Sequence, residues 1–439
     1  MKILKFGGTS VGSAERMQAL VALIGDGKPK IVVLSAMSGT TNNLVEICSA
    51  FTAKKIASAN KRIKALEKKY LELLPQLFSS NSIRLKGESF LNSVIQILYS
   101  MDADEFGVLE EKLILAQGEI LSTNLFQLYL EERKTKSALL NALEFMKTDE
   151  TGEPMQNYTK KKIKKLLHTF PDHTLFITQG YICRDSFGNV SNLGRGGSDY
   201  SASLIGAAVN AEEIQIWTDI DGMHNNDPRV VDKTFPVAEL SFDEAAELAY
   251  FGAKILHPSS ILPAKQKNIQ VRLLNTLQPE KKGTIITAKS SGNNIKAVAA
   301  KDGIIAVNIK SSRMLLAYGF LRSVFEVFER FKTPIDVITT SEVAVSLTID
   351  NEIFLDEIKS ELESFGNVSI DRGMSIICIV GDFLGTKTGY AIQVFESLQN
   401  IPIRMVSYGG SQNNISFVIK SQDKKRALDA LNKGLFPAK

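Results

Sequence analysis

Ile3-Leu-Lys-Phe-Gly-Gly-Thr-Ser10 carries the first decision about the fold. A short apolar run breaks into two glycines and then into hydroxyl residues that suit a helix start. Adjacent glycines let a backbone come close to an anion, and successive amide N–H groups can form a nest for phosphate. Ser10, or Ser13 just beyond, is placed to cap the next helix, whose N-terminus would add positive dipole. Lys5 would add full charge. Taken alone, a Gly-Gly turn is usually only a turn. The loop is neither a Walker A sequence nor Gly-x-Gly-x-x-Gly, and neither pattern occurs elsewhere in the chain.

The same order of apolar run, turn and helical pattern continues to about residue 290. Ile31 to Ser35, Leu175 to Thr178, Ile214 to Trp217 and Ile269 to Leu274 read as strands, with helical patterns between them. That alternation predicts an α/β domain with a largely parallel sheet. Residues 42 to 133 read as nearly all helix, and Leu109, Leu113, Ala116 and Ile120 are spaced for one apolar face. The polar stretch 289–294 reads as a linker. Beyond it lies a repeat. Val324-Phe-Glu326 recurs as Val394-Phe-Glu396, each followed by Pro-Ile (Pro334-Ile335 and Pro402-Ile403) and then by an alternating strand, Val343 to Ile349 and Ile415 to Ile419. Two similar units of β-α-β-β-α-β character follow from this. Having no Cys, His or carboxylate cluster, they suit binding or assembly rather than a second active site.

Four further motifs sit at chemically useful places. Gly194-Arg-Gly-Gly-Ser-Asp199 joins a strand to a helix and offers an anion site, a guanidinium for a carboxylate, and a carboxylate that could hold lysines or a metal. With the first glycine loop it suggests one shared polyanion site. Trp217-Thr-Asp-Ile-Asp-Gly222, running on to Asn226-Asp-Pro-Arg229, opens from a strand end, where ligands of open α/β sheets sit. Phe251-Gly-Ala-Lys254 ends a helical pattern from Phe242, and its lysine either serves the helix dipole or faces phosphate. In Gln117-Gly-Glu119 the apolar neighbours Ala116, Ile120 and Leu121 predict an enclosed Glu119 that needs a cationic partner.

Composition excludes several classes. The 439 residues imply two or three domains, with 44% apolar and 23% charged residues as in an ordinary globular protein. A net charge of +4 and the lysine runs at Lys61 to Lys69 and Lys160 to Lys165 read as solvated helix faces, not as a nucleic-acid surface. Cys48, Cys183 and Cys378 are far apart, which fits a reducing cytosol without a disulfide framework. The N-terminus is too short and polar for a signal peptide, and no apolar run suggests a membrane helix. His168, His173, His224 and His257 lack metal-ligand spacing and read as structural.

Together these segments resemble the aspartokinases. The resemblance is carried by Lys5-Phe-Gly-Gly-Thr-Ser-Val11, Ser35-Ala-Met-Ser-Gly-Thr-Thr-Asn42, Gly118-Glu119, Thr178-Gln-Gly180, Leu193-Gly-Arg-Gly-Gly-Ser-Asp-Tyr200, Trp217-Thr-Asp219, Asp227-Pro-Arg-Val230 and Phe251-Gly-Ala-Lys-Ile-Leu-His-Pro258, in family order, and by Thr339-Thr-Ser-Glu-Val343. It implies an α/β amino-acid-kinase three-layer sandwich over 1–290, followed by tandem α+β ACT domains at 303–373 and 374–439, the second borrowing a strand from 295–300. It implies transfer of phosphate from ATP, with Mg²⁺ carried by the nucleotide and no metal ligand from the protein, to the side-chain carboxylate of L-aspartate. That is the first step toward lysine, threonine and methionine.

The family roles fall on particular positions. Lys5 and Asp199 would be catalytic, and Thr41, Glu119 and Arg195 would hold aspartate. Lys5, Phe6, Gly7, Gly8, Thr218, Asp219, His224, Arg229, Lys254 and Ile255 would hold ATP. The lysine-sensitive branch adds an effector site at Met314, Gly319, Phe320, Leu321, Asp336, Ser341 and Glu342. His224 stands where a tyrosine is common, and Ala317 where a serine is usual in that branch. Asp336 corresponds to Arg404 in the second repeat, so lysine is expected in the first repeat only. A cytoplasmic homodimer joined through the ACT domains, or a pair of such dimers, is implied. The alternatives are another amino-acid kinase of the same fold and a catalytically silent amino-acid sensor. A fused homoserine dehydrogenase is not expected at this length.

Overall fold

The computed structural model describes residues 1–194, 196–252, 256–289, 295–314, 318–383 and 389–436. Contacts divide the chain into two compact units, Met1–Met223 with Ile255–Lys289, and His224–Lys254 with Ser290–Lys439. Residues 1–290 are expected as one domain, whereas by contacts His224–Lys254 groups with the C-terminal residues.

In the first unit the strands lie in the order Ser137–Leu140, Leu175–Gln179, Lys30–Leu34, Lys2–Phe6, Glu213–Thr218, Gln270–Asn275 and Thr284–Thr287. All neighbours are parallel except the last pair. Side chains alternate across the sheet. Leu4, Phe6, Val32 and Leu34 enter a core built with the helices Ala14–Ile24, Thr40–Thr52, Ile56–Leu77, Asn81–Tyr99 and Val108–Glu132. Ile3 and Ile214 face the other way, toward helix Gly197–Val209. That helix can approach because Gly206 has no side chain: a Cβ there would lie 2.6 Å from Ile214. A parallel sheet covered on both faces explains the continuous apolar runs. Lys5 shares the Ile3 face, so the pleat aims it at the start of helix Gly197–Val209.

Helix Val108–Glu132 corrects one expectation. Leu109 is exposed, while Ile114, Leu115, Leu121, Leu125 and Phe126 are buried. Core lies around most of the helix, so no single stripe at three- and four-residue spacing describes it.

In the second unit a six-stranded sheet runs Ile338–Thr340, Ala344–Ile349, Ile295–Lys310, Asn367–Gly381, Asn414–Lys420, Ile403–Tyr408, antiparallel throughout. The two central strands are long and shared. Ala297–Lys301 pairs with Ile376–Val380, the register shifts between Lys301 and Ile304, and Ile304–Lys310 continues along the start of the same partner strand. Each repeat has its own core, one around Val307, Val324, Phe328 and Leu347, the other around Ile377, Val394, Phe417 and Leu428. The repeated Val-Phe pair is thereby explained. Val324 and Val394 are buried, whereas Phe325 and Phe395 are exposed.

The three cysteines are free and buried. Among the described residues no helix is long and apolar enough to cross a membrane.

Candidate active site

Lys5 ends a central strand with its ammonium 2.8 Å from Asp199, in the first turn of helix Gly197–Val209. Both side chains are largely enclosed, so the pair is a fixed element and not a mobile surface contact. Gly196, at φ +73°, caps that helix, and a Cβ there would meet His257 at 2.7 Å.

One amide of the first glycine loop is already taken by the fold. The Gly7 N–H donates to Trp217 O at 3.2 Å, so this amide is committed to the fold. A Cβ on Gly8 would lie 2.8 Å from Ala36 O. At Gly8 the missing side chain therefore serves close packing. Ser38 N–H donates to Gly8 O at 3.0 Å, which joins this loop to the segment Ser35-Ala-Met-Ser-Gly-Thr40. Ser13, not Ser10, caps the next helix, accepting from the Arg16 N–H. Ser10 instead meets Thr276 hydroxyl to hydroxyl at 2.6 Å.

The Ser35–Thr40 segment is the part the sequence reading left without a role. The Ala36 N–H donates to Glu119 Oε1 at 3.2 Å, and the Ser122 hydroxyl donates to Ser35 O at 2.7 Å. A Cβ on Gly118 would lie 2.8 Å from Ala36, so helix Val108–Glu132 needs this glycine to reach the segment. Glu119 is enclosed as expected, and among the described residues the partner within hydrogen-bonding distance is this backbone amide, not a cation. Burial pushes its carboxyl up to about 7, against the opposing amide and the charge of Lys5. Thr41, itself exposed, follows the buried Thr40 in the first turn of helix Thr40–Thr52.

Tyr181 packs beside the start of helix Gly197–Val209. It has φ +65°, its N–H donates to Ser201 Oγ at 2.9 Å, and a Cβ on Gly197 would strike its ring at 2.5 Å.

The remaining nucleotide positions divide. Phe6 is fully buried with its ring stacked on Trp217 at 5.8 Å, which leaves only its backbone for a ligand. Thr218 and Asp219 lie at the carboxyl end of strand Glu213–Thr218, the threonine hydroxyl 3.1 Å from the carboxylate. His224 and Arg229 belong to the second unit. There His224 Nδ1 is 2.8 Å from the Thr234 hydroxyl, and Arg229 forks onto Asp227 at 2.8 and 2.9 Å. Arg195, Lys254, Ile255 and Ala317 lie outside the described residues.

In the first repeat, Gly319 caps helix Phe320–Arg330 at φ +83°. Met314 and Phe320 pack against the core of that repeat, while Leu321, Ser341 and Glu342 are exposed. Asp336 is not open. Its buried carboxylate takes Lys301 Nζ at 2.7 Å and the Tyr250 hydroxyl. Lys301 also lies 2.9 Å from Asp350 and 4.7 Å from the centre of the Tyr250 ring. Burial alone would lower Lys301, but Asp336 and Asp350 hold its ammonium above the ordinary value. Burial and Asp336 push Tyr250 up to about 12, so it remains a donor. The corresponding Arg404 pairs with Asp371 at 2.7 Å.

Comparison with known proteins gives a consistent answer. Residues 1–275 match the Amino acid kinase family and residues 377–435 an ACT domain. The chain is 31% identical to the lysine-sensitive aspartokinase 3 of Escherichia coli, over 99% of each chain. It is 35% identical to the chloroplastic aspartokinase 3 of Arabidopsis thaliana, over 99% of this chain and 81% of that one. The structure of E. coli aspartokinase III in complex with aspartate and ADP superposes with a TM-score of 0.84 at 31% identity, covering 99% of this chain and 100% of that one. The same enzyme in complex with lysine and aspartate superposes at 0.82, covering 99% of each chain.

Proposed function

The chain belongs to the aspartokinases of the amino acid kinase family, and from that premise we propose how its residues phosphorylate the side-chain carboxylate of L-aspartate. The observation that carries the reading is the pairing of Lys5 with Asp199 on one side of the glycine loop and the buried, cation-seeking Glu119 on the other.

Glu119 takes the substrate ammonium, Thr41 helps to hold the substrate, and Arg195 takes the α-carboxylate. The β-carboxylate is then the nucleophile. It needs no general base, because a carboxylate is already ionised at neutral pH. Catalysis reduces to in-line positioning and neutralisation of charge on the transferring phosphoryl group. Lys5 supplies that charge, and Asp199 keeps its ammonium at the strand end. Gly7 and Gly8 let the loop lie close to the phosphates, and Thr218, Asp219, His224, Arg229, Lys254 and Ile255 serve the nucleotide. Among the described residues no group of three His, Cys, Asp or Glu side chains is set for a metal. A magnesium ion carried on the phosphates would neutralise charge there.

The ACT repeats sense an amino acid, lysine by analogy with the E. coli relative. Asp336, with Glu342 nearby in the chain, is the acceptor for its amine. Because Lys301 already occupies Asp336, an effector amine has to displace it. The exposed Phe325, Ile392 and Phe395 support a homodimer through these repeats, and the three unpaired cysteines support a cytoplasmic setting.

Hydroxylamine trapping of acyl phosphate tests the reading, with L-aspartate or L-glutamate as acceptor and with or without lysine. Aspartyl hydroxamate that forms only with ATP and falls on adding lysine is expected. Preference for glutamate would indicate another amino-acid kinase, and ATP binding without turnover a silent sensor.

A further inference from the structure

The lysines of Lys61 to Lys69 read in sequence as one solvated face. On helix Ile56–Leu77, Lys61, Lys64 and Lys68 are indeed exposed, but Lys69 is half-buried. Its ammonium donates to Ser38 O at 2.7 Å and to Thr40 Oγ1 at 3.2 Å. The same Thr40 hydroxyl is 3.0 Å from the hydroxyl of Tyr70, which is fully buried. Two successive residues of the helix thus converge on one turn.

That turn leads straight into the site. Ser38 is bonded to Gly8, Ala36 to Glu119, and Thr41 follows Thr40. The cation is also oddly placed. It lies at the N-terminus of helix Thr40–Thr52, the positive end of the helix dipole. Burial holds it below the ordinary lysine value, and no carboxylate among the described residues pairs with it. A lysine needed only to pin a turn would gain from a counter-charge. A cation left without one, beside a helix N-terminus, is compensated when an anion arrives.

We propose that Lys69 is a positioning residue for aspartate: it locks the Ser38-Gly39-Thr40 turn that presents Thr41 and seats Ala36 against Glu119, and its charge favours the dicarboxylate substrate. This rests on the reading of Thr41 and Glu119 as the aspartate subsite.

Steady-state kinetics of Lys69→Met and Lys69→Arg, with aspartate and ATP varied separately, test it. In Lys69→Met the KM for aspartate should rise about tenfold, the size of one lost charge-assisted hydrogen bond, with a much smaller change in kcat and in the KM for ATP. Lys69→Arg, which keeps the charge and can still donate to the turn, should recover most of that loss. An unchanged aspartate KM in Lys69→Met would overturn the proposal. So would a parallel rise in both KM values, or an arginine variant as impaired as the methionine one, since either means packing alone. Glu119→Gln, run alongside, separates the two levels. A normal aspartate KM in that variant removes the subsite reading itself, whatever Lys69 does.

Discussion

Two buried carboxylates, one in each compact unit, are given different partners by their surroundings. Glu119 has a backbone N–H at 3.2 Å, and burial pushes it up to about 7. Asp336 is met by Lys301 at 2.7 Å and by the Tyr250 hydroxyl. A buried carboxylate is costly unless paired. Among the described residues the fold therefore brings a cation and a hydroxyl to one oxygen of Asp336, leaving Oδ2 buried without a hydrogen bond, and brings a backbone amide, with no cation in hydrogen-bonding distance, to Glu119. On the proposed roles of the two residues, the contrast would separate a site prepared for an arriving ammonium from one where an arriving ammonium must compete.

The sharpest way to break the contrast is Glu119→Gln. If the carboxylate is the receptor for the substrate ammonium, kcat/KM for aspartate should fall about a thousandfold, as when one partner of a buried charge pair is removed. The melting temperature at neutral pH should hold or rise, because the variant removes an ill-solvated charge. A loss of less than tenfold, or a large drop in melting temperature, would make Glu119 an ordinary structural acid and erase the difference.

A pH series sharpens the same point with a smaller effect. Between its ordinary value of 4.5 and about 7, Glu119 keeps a proton in the folded chain that the unfolded chain has released. Its contribution to stability therefore falls as pH rises through that window and is constant above it. Substrate binding has the opposite sign, since an ammonium prefers the ionised carboxylate. The KM for aspartate should be level above about pH 7 and rise as pH falls, approaching about tenfold per unit. In Glu119→Gln the slope should vanish. A slope that persists in the variant assigns the titration to another group.

Much of this arrangement is legible in the chain, for reasons that also mark the limit. The apolar runs at Ile3, Ile31, Leu175, Ile214 and Ile269 are strands because a sheet covered on both faces needs them apolar throughout. The Val324 and Val394 repeat is legible because both valines fill equivalent cores. The Lys5 and Asp199 pairing was within reach, since a pleated strand and a helix start fix both directions. Three things were not. Burial of Glu119 is readable from its neighbours, but a partnering amide from Ala36, far away in sequence, is not. Which lysine of a run turns inward depends on where one helix meets one loop, and Lys69 differs from Lys68 in nothing the sequence shows. Asp336 reads as an open acceptor because Lys301 and Tyr250 lie 35 and 86 residues away, joined to it only by the fold.

Lys301 offers the smallest and most discriminating test. If Asp336 receives the effector amine as proposed, Lys301 is a tethered competitor that reduces effector affinity by the cost of its own displacement. Lys301→Met should then lower the lysine concentration for half-inhibition by roughly fivefold, a modest coupling energy, while Asp336→Asn should abolish the response. The methionine variant should also melt lower, because it leaves Asp336 and Asp350 without their shared cation. The melt alone decides nothing, since any broken ion pair lowers stability. The direction of the inhibition shift decides. Tighter inhibition means that Lys301 and the effector compete for one carboxylate. Weaker inhibition means that Lys301 belongs to the receiving surface. In that case the two carboxylates differ only in which part of the chain supports them, not in whether a ligand must displace a resident cation.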